Sequence, residues 1–204
     1  ACATVGTLWA LRQWGRWRTP ATRIQTLSGS VDVEWDAAHD RAWVSQPAVA
    51  TSALTPAQCR TIADVLRINP ELPGLHMVNA STSRVKTLVR LPDAASLDAL
   101  APDFSAMRGL CEAIRSTGLY PYALGVDGAS ARQFPKASGY PEDAATGIAA
   151  AALWGYLDKT GAIPADQVYT VRQGVVMGSP SAIQLRARGA GAGCWLSGDT
   201  QWMT

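Results

Sequence analysis

The spacing of apolar residues changes several times along this chain, and each change marks a new element. Val5, Leu8, Trp9 and Leu11 recur at helical spacing within Ala3–Trp14, and Gly15 offers a stop. From Arg23 to Trp35 the period falls to two. Val31, Val33 and Trp35 alternate with Asp32 and Glu34, predicting two short strands about a turn at Ser28-Gly29-Ser30. Ala42–Val44 continues the sheet after a turn over Asp36–Asp40. Thr55-Pro56 then starts a helix over Ala57–Leu66, with its proline at the favoured first position. The segment Asn69–Gly74 holds two prolines and a glycine and reads as a connection between domains at 1–72 and 73–204.

In the second half, Leu75–Asn79 and Val85–Leu91 read as strands, and Ser96–Leu100 and Ser105–Ser116 as helices. Tyr120–Val126 and Ala131–Phe134 predict another pair of strands. The Ala-rich stretch Ala145–Lys159 is apolar almost all round, so this helix should be enclosed by protein on every side. Strand-like segments follow at Gln167–Arg172, Val175–Met177, Ser181–Arg188, Cys194–Ser197 and Gln201–Met203. Gly189–Gly193 resembles half a dinucleotide fingerprint, but it lies between strands and reads as a hairpin turn.

Two helix starts echo one another. Ala3-Thr4-Val5-Gly6 aligns with Ala145-Thr146-Gly147-Ile148, and Leu11 then falls on Leu153, at an offset of 142 residues. In each copy a strand, a glutamine (Gln25, Gln173) and a Gly-Ser turn (Gly29-Ser30, Gly178-Ser179) follow in that order. The pattern suggests a duplicated domain. Residues 73–144 precede the second helix, whereas the first has no such stretch before it in this chain. The first domain is therefore expected to be completed by a separate chain or an upstream segment, since a bare apolar helix would leave an exposed patch.

Composition narrows the classes. The 204 residues are 48% hydrophobic and 17% charged, enough for a real core. A net charge of +2 is too balanced for an obvious nucleic-acid binder. The longest nearly apolar run, Gly147–Leu157, has 11 residues, against the ~20 that a membrane span needs. Cys2, Cys59, Cys111 and Cys194 lie 57, 52 and 83 positions apart, which fits neither a zinc ribbon nor a disulfide framework. With only His39 and His76 besides, no metal site is expected, and the cytoplasm is the default compartment.

The stretch ARQFPKASGYPEDAATGIAAAALWGYL (131–157), followed by RQGVVMGSPSAIQL (172–185), resembles the phenazine-biosynthesis (PhzF-like) isomerase family. The matching signatures are Arg132-Gln133-Phe134, Glu142-Asp143-Ala144-Ala145-Thr146-Gly147 and Gln173–Ser181, and the opening ACATVGTLWAL is similar to the family's first helix start. The resemblance implies an α+β, diaminopimelate epimerase-like fold. Two pseudo-symmetric barrels, each wrapped round a central helix (3–14 and 145–159), would hold an interdomain cleft between them, the first barrel being incomplete here. The last strands would return toward the interface. It also implies cofactor-independent proton transfer on a small carboxylate in secondary metabolism, and it leaves a homodimer open. The family's principal acid/base glutamate lies upstream of the first helix, hence the expectation of a complementary N-terminal chain, produced by processing before Ala1 or separated at a fragment boundary.

Within that frame Cys2 and Asp143 are the catalytic candidates. A cysteine at a helix N-terminus is where a thiolate is favoured, and Cys2 stands where the family has histidine. The alternative for Cys2 is a small buried hydrophobe. Asp143 could relay a proton or simply cap the second helix. Ala3, Thr4, Glu142, Thr146, Gly147 and Ile148 are the substrate-binding candidates, because helix N-termini offer free N–H groups to a carboxylate. Ile148 replaces the family's serine and makes one wall apolar. Gln173 and Met177 would support the cleft. Arg12, Arg16, Arg18 and Arg23 interleave with Trp14 and Trp17, which suits nucleic-acid stacking or, more simply, a helix C-terminus beside a solvated loop. Cys59, Cys111 and Cys194 read as core, and His39 and His76 as having no carboxylate or cysteine neighbour. Two other roles stay open: a catalytically degenerate binding or scaffold subunit, and a repurposed cleft that shapes a cyclisation.

Overall fold

A computed structural model describes residues 2–17, 22–26, 29–164, 167–189 and 191–202. Expectations that rest on Ala1, Arg18, Ser28, Ala190 or Met203 lie outside these residues. Helix α1 (Cys2–Gln13) leads into β1 (Arg23–Thr26), β2 (Gly29–Asp36), β3 (Arg41–Gln46) and the short β4 (Ala50–Ser52). Then come α2 (Pro56–Leu66), β5 (His76–Ser81), β6 (Val85–Leu91), α3 (Ala94–Asp98), α4 (Met107–Ala113), β7 (Gly118–Gly125), β8 (Gly128–Ala131) and β9 (Phe134–Pro135). Helix α5 (Gly147–Lys159), β10 (Tyr169–Gln173), β11 (Ser181–Ala187) and β12 (Cys194–Gly198) follow. The strands form one mixed sheet in the order β1-β2-β3-β12-β11-β10-β8-β7-β6-β5-β4, with β9 on β7.

The echo between the two helices is visible in this order. Each helix is followed by three antiparallel strands, α1 by β1–β3 and α5 by β10–β12. The two triplets meet through β3 and β12, which pair antiparallel at Gln46–Cys194, Ser45–Trp195 and Val44–Leu196. The arrangement is palindromic about that seam. Beyond β10 the sheet runs on into β8, whereas beyond β1 no strand follows among the described residues.

Helix α5 is enclosed as its composition predicts. Ala149 to Leu153 are all fully buried, in a core shared with Val5 and Leu8 of α1 and with the inner faces of β3, β6, β7, β11 and β12. Helix α1 is half covered. Val5, Leu8 and Trp9 are buried, while Trp14 is 61% exposed and stacks on Trp202. On the outer face of β5–β7, helices α2, α3 and α4 build a second core around Ile62, Leu66, Val89, Leu97, Leu110 and Phe134. The 69–74 segment joins α2 to β5 inside that layer. No helix among the described residues is long and apolar enough to cross a membrane.

Several elements depart from expectation for local reasons. The α3 start moves back to Ala94, because the Asp93 carboxylate accepts the Ser96 N–H at 2.7 Å. Val175–Met177 is a turn rather than a strand: Gly174 (φ 79°) and Gly178 (φ 69°) bracket it, and the Ser179 N–H closes on the Gly174 carbonyl at 3.0 Å. The segment expected as a strand over Ala131–Phe134 is broken between β8 and β9, where Arg132 and Gln133 turn to other partners. Gln201 and Trp202 are not in a strand. His39 does have a carboxylate neighbour, Asp36, whose Oδ2 lies 2.8 Å from Nδ1. His76 stacks on Tyr156, with Nε2 and the phenol oxygen 2.8 Å apart. Nor do the arginines of the first segment form one face: Arg12 donates to the Trp17 carbonyl, and Arg23 pairs with Asp32.

Candidate active site

Residues 139–146 form a loop that enters α5, and buried side chains fix it from three directions. Arg132, anchored where β8 breaks, forks onto Glu142 through Nε–Oε1 at 2.9 Å and Nη2–Oε2 at 2.8 Å. Its Nη1 also donates to the carbonyls of Leu97, Asp98 and Leu100, and its guanidinium lies over Phe134. Both Glu142 oxygens are thereby engaged, so this carboxylate orients the loop. From the opposite side the Asp143 N–H donates to the Gln133 carbonyl at 3.0 Å. The Ser181 hydroxyl holds the Ala144 carbonyl at 2.8 Å.

Gln173, the last residue of β10, organises the centre. Its Oε1 accepts from the Tyr120 hydroxyl at 3.0 Å and from the Thr146 N–H at 3.3 Å. Its Nε2 donates to the Asp143 carbonyl and to the Thr146 hydroxyl. That hydroxyl in turn donates to Asp143 Oδ2. Asp143 thus does not cap a backbone N–H of α5; its carboxylate is oriented through Thr146. Burial pushes the Tyr120 phenol far above its ordinary range, with smaller contributions from Cys2 and Asp143, so it stays a neutral donor.

The N-terminus of α1 meets this loop from the other triplet. Cys2 Sγ lies 3.6 Å from the Ala145 carbonyl, and Cys2 is exposed rather than a buried filler. Cys2 and Ala145 line a cavity of about 380 Å³ together with Ser181, Ser197, Asp199 and Thr200. Thr4 and Ile148 line a second cavity, of about 470 Å³, with Ser45, Gln46, Thr82 and the Asp32–Arg188 pair. Ala3 lines neither; it is exposed, and its carbonyl accepts the Thr7 hydroxyl. Gly147 and Ile148, at the first turn of α5, have N–H groups without a partner among the described residues. Helix dipole and open donors together favour an anion there.

Sequence reasoning reached Cys2, Asp143, Thr146 and Gln173 through the motifs that carry them. It missed Tyr120, whose strand reads only as an apolar run, and Lys86, one of two cations within Val85–Leu91. Met177 stands exposed on the 174–179 turn. Cys111 and Cys194 are buried, their thiols pushed up by desolvation to about 11 and about 12, while Cys59 is half-buried. Among the described residues no group of three or more His, Cys, Asp or Glu could hold a metal ion.

This α+β fold is shared with solved structures of a PhzF-family protein of Bacillus anthracis, a probable proline racemase and a hydroxyproline epimerase. The family described as phenazine biosynthesis-like protein matches residues 2–193, and the chain belongs to it. It is 32% identical over 196 residues to an uncharacterized isomerase of Deinococcus radiodurans, covering 90% of this chain and 63% of that protein. Over 103 residues it is 39% identical to the trans-2,3-dihydro-3-hydroxyanthranilate isomerase of Pseudomonas aeruginosa, covering 50% of this chain and 36% of that enzyme. The solved structure of a predicted epimerase from Pseudomonas aeruginosa superposes with a TM-score of 0.77 at 21% identity, covering 96% of this chain and 69% of the other. The chain therefore spans less than two thirds of the length of either isomerase.

Proposed function

We propose that this chain carries the greater part of a cofactor-independent isomerase that moves a proton on a small, carboxylate-bearing metabolite. The observation that carries the reading is the contact of Cys2 Sγ with the Ala145 carbonyl, 3.6 Å apart. It brings a thiol to the loop that presents Asp143 and the open N–H groups of Gly147 and Ile148. In this reading those N–H groups hold the substrate carboxylate, whose charge they and the α5 dipole offset. Cys2 and Asp143 then take and return the proton, with Asp143 held in position through Thr146 and Gln173. Ile148 supplies an apolar wall on the side of Thr4.

A complementary N-terminal segment belongs to the proposal. The palindromic order predicts a partner for β1 equivalent to β8, which pairs parallel with β10. Such a segment would cover the open face of α1 and bring a further acid/base group to the site. Involvement in secondary metabolism rests on the relatives. A reducing, cytoplasmic setting is supported by four cysteines that all stand free.

Incubation in D2O of the protein made from its full-length gene tests the reading, with trans-2,3-dihydro-3-hydroxyanthranilate and a panel of small amino acids as probes. Deuterium should enter at the carboxyl-bearing carbon of one probe, and Cys2→Ala and Asp143→Asn should each abolish its entry. Tight binding without exchange would instead mark a scaffold subunit, and ring closure without exchange a repurposed cleft.

A further inference from the structure

The chain has three lysines, and one of them is buried. Lys86, in β6, is 5% exposed, and its ammonium makes no hydrogen bond or salt bridge among the described residues. Lys136 pairs with Glu112, and Lys159 donates to the Thr51 hydroxyl. An unpaired ammonium at that depth is costly unless a counter-charge lies near.

The topology leads from Lys86 toward one carboxylate. Lys86 shares the face of Leu88, which looks into the α5 core with Tyr120, whereas Val89 and Leu91 face α2–α4. One step before the Thr87–Leu119 pair, Lys86 stands beside Gly118. Gly118 carries no side chain, and the amide of Gln133 fills the space: a Cβ there would collide with Gln133 Nε2. Gln133 is 1% exposed, its amide makes no hydrogen bond, and its backbone pairs with Asp143. The path therefore runs from Lys86 across Gly118 and Gln133 to Asp143. Glu142, the neighbouring carboxylate, is already matched by Arg132.

We propose that Lys86 is a positioning residue of the site: a buried ammonium whose counter-charge is Asp143 and which draws that carboxylate inward beneath the α5 N-terminus. It acts through Asp143 and does not touch substrate. The inference rests on the reading of Asp143 as the acid/base group, but it has its own physical test. The charged and titratable groups around Lys86 are Asp143 on the loop, Cys111 on α4 and Arg84 next to it in the chain. Burial lowers the Lys86 ammonium to about 8; Asp143 and Cys111 oppose that fall, and Arg84 adds to it. Tyr120, on β7, stays neutral.

Three lysines make the test direct. In the protein labelled with [13Cε]lysine, the three side-chain signals can be followed separately by NMR, and Lys86→Met assigns the one that belongs to Lys86. Lys86 should titrate near pH 8, well below the ordinary lysine value of 10.5. Asp143→Asn should lower its midpoint by about one pH unit or more, as loss of a close opposite charge does. Asp143→Glu should restore much of it, and Asp143→Ala serves should the Asn variant misfold. A Lys86 that titrates at the ordinary lysine value, or that keeps its midpoint in the neutral variants, overturns the pairing. No substrate enters this measurement, so its failure would leave the isomerase reading to the exchange assay, and a failed exchange assay would leave the pairing intact.

Discussion

Replacing Arg132 by methionine removes five hydrogen bonds at once. Two of these hold Glu142, and three hold the carbonyls of Leu97, Asp98 and Leu100. The side chains of the pair are 8% and 10% exposed, so Glu142 would be left as a nearly buried, unpaired carboxylate. Breaking a buried pair from one side costs about 3–5 kcal/mol, most of it the penalty on the charge left behind. For a chain of this length, about 3 kcal/mol lowers the Tm by roughly 6–12 °C. Glu142→Gln added to Arg132→Met removes the stranded charge and should recover a large part of the loss. The assay is a double-mutant cycle in urea, with a coupling energy of about 2 kcal/mol or more expected between the two positions. Additive losses, with coupling below about 0.5 kcal/mol, would refute the claim that this fork holds the loop. In the Arg132→Met variant deuterium exchange should also vanish, because the loop that presents Asp143 is no longer anchored at Glu142.

Lys86 makes stability depend on pH. Its folded value of about 8 lies below its ordinary 10.5, so between those values the unfolded chain binds more protons and stability rises with pH. The rise attributable to Lys86 is about 3 kcal/mol, present in the native chain and absent in Lys86→Met when urea midpoints are compared from pH 7.5 to 10.5. Equal pH slopes in the two proteins would count against a buried, charged lysine. Gly174→Ala places a Cβ at φ 79° against the Ser179 and Ala144 carbonyls and should cost about 2 kcal/mol or more, read by thermal unfolding. Tyr120→Phe leaves Gln173 Oε1 with only the Thr146 N–H and should cost about 1–2 kcal/mol in denaturant, with the fold retained.

Much of the architecture is legible because local chemistry and tertiary packing agree. Thr55-Pro56 marks the start of α2, and the structure adds the reciprocal half of a capping box through Gln58. The echo between residues 3–11 and 145–153 becomes two triplets of strands that meet at one seam. What stayed hidden depends on contacts remote in the chain. The break between β8 and β9 arises because Arg132 reaches α3, more than thirty residues away. Val175–Met177 has strand-like composition, yet two glycines at positive φ fold it into a turn. Within the site, Cys2, Asp143 and Thr146 lie in recognisable motifs. Lys86 does not, since its inward direction is set by the pairing of β6 with β5 and β7, which the strand's own residues do not reveal.

The seam between β3 and β12 also sets an order of events during synthesis. Residues 41–46 emerge from the ribosome some 150 residues before residues 194–198, their partners in the sheet. Helix α1, which packs on both strands, has half of its support missing for that whole interval. Such a distant pairing is slow to form, and meanwhile the apolar side of α1 must be kept from other chains. The contact of the Cys2 thiol with Ala145 likewise joins segments 143 residues apart, so the site, like the seam, cannot be assembled from either end of the chain alone.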